Sequence, residues 1–327
     1  MSEAPSTRRV GVRDVARLAG VSTQTVSRVL NDYPGIRAET RDRVREAVAA
    51  LDYRMNNTAR SFGTSTTRTL GLIASNATLY GPSIAIEALE AAARSVGRWV
   101  ATVYADAADE ESVDAAARHL VSHGVDGIVV LATHARTVAA ASSAAPGVPV
   151  AALHAGPGAE RQSEGAELAV RHLVDLGHRR IARVAGPSHW FEASAREAGV
   201  VRALPEAGLR WEGDWSAASG AALAAEVAAA VRAPGGPTAV AVANDQMALG
   251  LMAGLHGAGV DAPRDVSITG FDDNPDAAFY SPALTTVRLD IVGEARRAVG
   301  EVLGLADPEL APGPARLIVR ASTGRAD

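Results

Sequence analysis

Apolar positions recur in two rhythms along the chain, and the rhythm changes near residue 69. Before that point the spacing is helical and the runs are short. Val15, Ala16, Leu18 and Ala19 predict a helix over Arg13–Ala19, and the pattern resumes over Thr23–Leu30. Val44, Ala47, Val48 and Leu51 fall at i, i+3, i+4 and i+7, one face of a third helix over Glu39–Leu51. The Pro34-Gly35 pair breaks the chain before it. Residues 54–68 hold few apolar anchors and many Asn, Thr and Ser, so they read as a linker with room for a short helix near Asn57–Phe62.

From Thr69 onward, short β-rich runs alternate with alanine-rich amphipathic stretches. Strands are predicted at "TLGLIAS", "WVATVYA", "DGIVVLA", "VPVAALH", "RIARVAG", "TAVAVAN", "VSITGFDD" and "TTVRL". Helices fall between them, near 83–96, 110–123, 164–176, 217–232, 245–258 and 291–306. This alternation predicts doubly wound parallel sheets, and the stretch is long enough for two similar lobes. Ligands of such folds sit beyond the carboxyl ends of the strands. The polar strand ends "VANDQ" and "GFDDN" are therefore ligand candidates, with ordinary capped loops as the alternative.

The stretch "DVARLAGVSTQTVSRVLND", residues 14–32, carries a more specific chemistry. Gly20 supplies a tight turn between two short helices set crosswise. Val15, Ala16, Val21, Val26 and Val29 can form the apolar contact between them. Ser22 is placed to cap the second helix. Thr23, Gln24 and Thr25 project from its first turn with no core to enter, and Arg28 follows one turn later. A helix-turn-helix reads base edges in the major groove from this position. Gln24 can present an acceptor and a donor to adenine, and Arg28 a bidentate fork to guanine. A generic helical hairpin is the bland alternative. The coincidence of turn, cap, basic patch and third helix favours the DNA reader.

Charge supports a polyanion partner for this head. Residues 1–62 hold eleven arginines against seven carboxylates, whereas residues 63–327 hold twenty-one against thirty. On charge alone a solvated arginine surface is an equal alternative. Every one of the 32 basic residues is arginine, which points to genomic base composition and weakens the count as evidence. At 327 residues and 47% apolar content, two or three domains with sizeable cores are expected. The absence of cysteine excludes disulfides, thiolate metal sites and cysteine nucleophiles. No apolar run approaches the ~20 residues of a membrane span, and Met1–Val10 holds no apolar signal core. A cytoplasmic, nucleoid-associated protein with no membrane partner is expected.

"DVARLAGVSTQTVSRVLN" and "TRDRVREAVAALDYRMNNTARSF", with "WEGDWSA", "VANDQMALG" and "PALTT" further on, resemble the LacI/GalR family of bacterial transcription regulators over nearly the whole chain. The resemblance implies an all-α three-helix head, a hinge helix, and a periplasmic-binding-protein-like core of two doubly wound lobes. The domains are then 8–54 for the head, 55–68 for hinge and linker, and 69–327 for the effector-binding and dimerisation core. Lobe one spans about 69–156 and 288–318, and lobe two about 160–287 with the C-terminal end. Thr23, Gln24 and Arg28 carry over as base readers, and Ser22, Thr25 and Asn31 as backbone contacts. Asn56, Ala59 and Phe62 carry over as hinge residues at the minor groove. Phe62 stands where the family commonly has a leucine wedge. A phenyl ring can also unstack a base step, and a core role at the head–body junction is the alternative.

For the effector cleft the resemblance implies four residues. Arg196 in "SAREAG" would fork onto vicinal hydroxyls, and Asn244 would offer both donor and acceptor. Asp272 would accept from two hydroxyls, and Trp215 would lay a flat face on a sugar ring. Pro82 in the "LYGPS" loop borders this cleft. Trp190 and His154 stand beside it, with a core role the equal alternative. Two departures from the family are visible. His154 occupies a position that is acidic in a relative, and the segment between His154 and Ser163 is too short for the strand that usually opens the second lobe. The chain ends at Asp327 without a leucine-rich tetramerising helix, so a homodimer on a pseudo-palindromic operator is expected.

The function expected is a repressor of sugar-utilisation genes, galactoside genes among the candidates, released from double-stranded operator DNA by a small carbohydrate. A family member answering to a purine or nucleoside, or acting by corepression, is the alternative. A sugar-transport receptor fits the basic head poorly. An enzyme is not expected: no GxGxxG or GxxxxGK[ST] follows a strand, Asp272-Asp273, His172 and His178 lack metal spacing, and no nucleophile–base constellation is present. No catalytic residue, cofactor or metal is expected.

Overall fold

The computed structural model describes residues 10–30, 33–53, 66–75, 77–106, 108–131, 134–204, 208–305 and 311–326. The chain divides into two compact units, Met1–Thr67 and Arg68–Asp327.

In the first unit, α1 (Val12–Ala19), α2 (Thr23–Leu30) and α3 (Ala38–Ala50) enclose a small core of Val15, Ala16, Ala19, Val26, Val29, Val44 and Ala47. Val48 and Leu51 pack at its edge. Gly20 ends α1 in the left-handed region at φ +65°, a conformation that costs glycine nothing. The Asp14 carboxylate accepts from the Gly11 N–H at 3.0 Å and caps the start of α1. The hinge candidates Asn56, Ala59 and Phe62, and the backbone-contact candidate Asn31, lie outside the described residues.

The second unit holds two four-stranded parallel sheets. The first has the order β2-β1-β3-β4, from β1 (Thr69–Ala74), β2 (Trp99–Tyr104), β3 (Gly127–Val130) and β4 (Val150–Ala152). α4 (Tyr80–Ser95), α5 (Glu110–Ser122) and α6 (Ala135–Ala144) connect its strands. The second has the order β6-β5-β7-β8, from β5 (Ile181–Ala185), β6 (Arg210–Glu212), β7 (Ala239–Val242) and β8 (Ser267–Thr269). Its helices are α7 (Pro157–Asp175), α8 (Phe191–Ala203), α9 (Ala217–Ala222), α10 (Ala224–Arg232) and α11 (Asp245–Gly257). The central strands β1, β3 and β7 are buried almost throughout, so they read as unbroken apolar runs.

α12 (Ile291–Val302) returns to the first lobe, where Ala295, Ala298, Val299 and Val302 join Leu70, Leu89 and Val129. β9 (Thr286–Arg288) pairs antiparallel with β10 (Arg316–Ile318). β10 falls in the stretch assigned to the first lobe, yet its Leu317 packs with Phe271, Ala166 and Ala169 of the second.

Five elements depart from the sequence pattern. α6 and α8 were not expected as helices. The buried stripe of α8 is Ala193, Arg196 and Gly199, so no large apolar side chain marks its period. β6 was not expected either, being three residues with one buried side chain, Trp211. α7 starts at Pro157, well before residue 164, and buries Gln162, Ser163 and Gly165 on its early turns. The missing family strand is thus replaced by helix, with Pro157 pre-set for a first turn. Finally, the helix expected over 217–232 is two helices that meet at Leu223.

Candidate functional site

In the head, Ser22 Oγ accepts from the Thr25 N–H at 3.0 Å and lies 2.9 Å from Thr25 Oγ1. The cap expected of Ser22 is therefore formed, and the Thr25 hydroxyl is engaged in it. Thr23, Gln24 and Arg28 are exposed on the same short helix. The Arg28 guanidinium lies 5.8 Å from the centroid of the Tyr33 ring, a cation–π contact that holds the fork over an exposed aromatic. Tyr33 was not a sequence candidate, because its contact with Arg28 crosses the end of α2.

In the second unit the site residues follow the carboxyl ends of the parallel strands, as the sheet rule demands. Ser75 follows β1, Leu131 β3 and His154 β4. Arg196 follows β5 on α8, Trp215 follows β6, Asn244 follows β7 and Asp272 follows β8. Together with Pro82, Trp190, Glu192 and Gln246 they line a cleft between the two lobes, about 530 Å³ counting the space open to solvent. A neighbouring space of about 740 Å³ shares Gly81, His154, Arg196 and Asp272 and reaches Asp273, Arg288 and Asp290.

Arg196 is buried and organises this wall. Its Nε donates to Gln162 Oε1 at 2.8 Å, Nη2 to Asp272 Oδ1 at 3.0 Å, and Nη1 to the Ala243 carbonyl. The guanidinium lies 3.8 Å from the Phe271 ring centroid and 5.4 Å from that of Trp215. Of five N–H donors, one on each Nη remains. Asp272 sits at φ +107° and Trp215 at φ +75°, both in the region non-glycine residues avoid, and His154 at φ +61° joins them. Strained backbone collects where side chains must point into one space. Gly186 gives the Trp215 indole its place, because a Cβ there would lie 2.1 Å from Trp215 Cη2. The Trp190 and Trp215 rings lie 5.7 Å apart at 59°.

Three expectations change. The amide of Asn244 is largely used inside the protein: Oδ1 accepts from Met247 N–H at 2.8 Å and Nδ2 donates to the Trp215 carbonyl at 2.9 Å. It caps α11 and fixes the Trp215 backbone, leaving one N–H. Gly81-Pro82 is the first turn of α4, not a loop. His154 is buried, receives Gln162 Nε2 at 3.3 Å on Nδ1, and donates its backbone N–H to Glu294 Oε1 at 3.1 Å. Burial, with help from Arg196 and Arg297, pushes its pKa down to about 3, so it stands here as a neutral acceptor.

Gln162, Glu192 and Gln246 were missed. Glu192 and Arg196 are four residues apart on α8, and a prediction of that helix would have put them on one face. Burial pushes the Glu192 carboxyl up to about 7, against the pull of its own N–H and of Arg196. Burial also raises Asp272, with Arg196 opposing. Gln246 Oε1 accepts from the Tyr80 N–H at 3.0 Å, joining the two lobes at the cavity rim.

A family model described as bacterial regulatory proteins, lacI family, matches residues 12–56, and a periplasmic binding protein-like domain matches 170–323. The chain is 32% identical to the lactose operon repressor of Escherichia coli over 96% of its own length and 91% of that protein's. This chain belongs to the LacI family. It is 34% identical to the HTH-type transcriptional repressor PurR of Vibrio cholerae over 89% of its length and 88% of the relative's. A solved lac repressor dimer, bound to operator and the anti-inducer ONPF, superposes with a TM-score of 0.83, covering 97% of this chain and 100% of that one at 32% identity.

The LacI-family fold expected from the sequence, a helix-turn-helix head with a periplasmic-binding-protein-like parallel core, is the one found, and the chain is a DNA-binding transcription regulator. Among the described residues no helix is long and apolar enough to cross a membrane, and no three His, Asp or Glu side chains group to hold a metal ion.

Proposed function

We propose that this chain is a homodimeric repressor that binds a pseudo-palindromic operator and leaves it when a small carbohydrate fills the cleft. The single observation that carries the effector reading is the half-used fork of Arg196. Held by Gln162, Ala243 and Asp272, it keeps two N–H donors at a cavity flanked by Trp190 and Trp215. Fixed polar forks beside flat apolar rings suit vicinal hydroxyls and the C–H face of a sugar.

Thr23, Gln24 and Arg28 are the base readers in this reading, Ser22, Thr25 and Asn31 position the backbone, and Asn56, Ala59 and Phe62 form the hinge. The lac repressor supports the dimer and the operator, since its solved form is a dimer bound to operator and anti-inducer. Because the cleft is lined from both lobes, a ligand that fills it would change the balance between lobe arrangements. A few kcal/mol of differential binding is enough to shift the operator-bound population.

The purine reading has one observation in its favour: the Trp215 indole at the cleft wall offers a face on which a base can stack. Operator binding measured against a panel of sugars, purines and nucleosides separates the two. Release by a sugar is expected. Response to a purine alone, or tighter operator binding with any effector, would overturn the sugar-inducer reading.

A further inference from the structure

Most of the polar side chains in the cleft wall are held by hydrogen bonds inside the protein, but two fully buried side-chain atoms there are not. Arg196 is held by Asp272, Gln162 and Ala243, Asn244 by Met247 and Trp215, and Gln246 by Tyr80. Glu192 Oε2 and Trp215 Nε1 are fully buried and have no partner. One is an acceptor on a carboxyl group, the other a donor. Leaving such groups unpaired away from water is costly, and a ligand that satisfies them recovers that cost.

The charges in this wall do not balance. Arg196 is already matched by Asp272 in direct contact at 3.0 Å. His154 is neutral. Glu192 Oε2 has no partner of its own, and burial pushes its carboxyl up to about 7 against the pull of Arg196, so the carboxylate form is under-compensated in this wall. A sugar hydroxyl would supply a hydrogen bond to Oε2 but no charge. An ammonium group supplies both, and a charge-assisted bond is about twice as strong as a neutral one. The indoles of Trp190 and Trp215 beside it present π-faces that also favour a cation.

We infer that the effector carries a charged amino group that docks on Glu192, so that the cleft takes an amino sugar; this rests on the carbohydrate reading of the cleft. Glu192 then sets specificity, while Arg196 and Asp272 hold ring hydroxyls. The orphan indole N–H of Trp215 meets a ring or hydroxyl oxygen of the same ligand.

The test is calorimetric titration of the full-length chain with D-glucosamine, D-galactosamine and D-mannosamine. Each is compared with its neutral parent hexose and with its N-acetyl derivative, which keeps the nitrogen and removes the charge. At least one amine should bind roughly tenfold or more tightly than both of its comparators. Glu192→Gln, nearly the same shape, should erase that preference. A neutral hexose bound as tightly as its amine, or a preference that survives Glu192→Gln, would overturn the inference and leave the carbohydrate reading standing, with Glu192 acting as a neutral acid. Binding of purines with no sugar bound would overturn both readings.

Discussion

Arg196 Nη2 and Asp272 Oδ1 meet at 3.0 Å, although 76 positions separate them in the chain. The contact ties the first turns of α8 to the loop after β8, with the Phe271 ring stacked 3.8 Å from the guanidinium carbon. Removing either partner leaves the other charge buried and unpaired, which costs about 3–5 kcal/mol.

Arg196→Ala is therefore expected to lower unfolding stability by about 3 kcal/mol or more, and to abolish the effector response of any protein that still folds. Urea melts and operator titrations with effector present check the two parts. A variant that leaves the operator at the normal effector concentration would show that Arg196 does not hold the ligand.

Arg28→Ala acts in the other unit. Loss of one bidentate base contact should cost ~1–3 kcal/mol of discrimination and leave weaker, salt-sensitive binding. Fluorescence anisotropy on operator and on scrambled duplex reads this difference. An unchanged ratio between the two duplexes would remove Arg28 from the readers.

His154 gives a pH signature. Its pKa is about 3 in the folded chain against 6.5 for the free side chain. Between these values the unfolded chain binds a proton that the folded chain refuses. Stability from this residue is thus present above about pH 6.5 and is lost as pH falls toward 3, by at most about 1.4 kcal/mol per pH unit. His154→Gln, which keeps an acceptor for Gln162, should flatten the acid limb of the stability curve. Identical limbs for the two proteins would mean that His154 protonates without penalty.

Gly186→Ala tests the seat of Trp215. The new Cβ would stand 2.1 Å from Cη2 of an indole packed in the second-lobe core, so the ring or its backbone must shift. Overpacking of this kind costs about 1–3 kcal/mol. Denaturant midpoint and tryptophan emission should both shift, and effector affinity should fall. Unchanged emission and midpoint would place the indole elsewhere.

The head was legible in the sequence because everything that makes it is local. The turn at Gly20, the Ser22 cap and the i, i+3, i+4 stripe of α3 all lie within about one helical turn of the residues they serve. The exposed positions of Thr23, Gln24 and Arg28 follow from that geometry. The alternation of strands and helices after Thr69 was equally plain, because parallel strands buried on both faces must be apolar runs.

The cleft was decided by tertiary contacts. α8 escaped the pattern because its buried stripe is Ala193, Arg196 and Gly199, and Arg196 can be buried there only because Gln162, Ala243 and Asp272 arrive from three other elements. The likeness to a family pointed to Asn244, but no local rule says that its amide is used by Met247 and the Trp215 carbonyl. Nor does any local rule leave Glu192 Oε2 without a partner. A hydrogen bond or an uncompensated charge is a property of the atoms that surround a group. In a parallel α/β fold those atoms come from strand ends dozens of residues apart, brought together only when both sheets have formed.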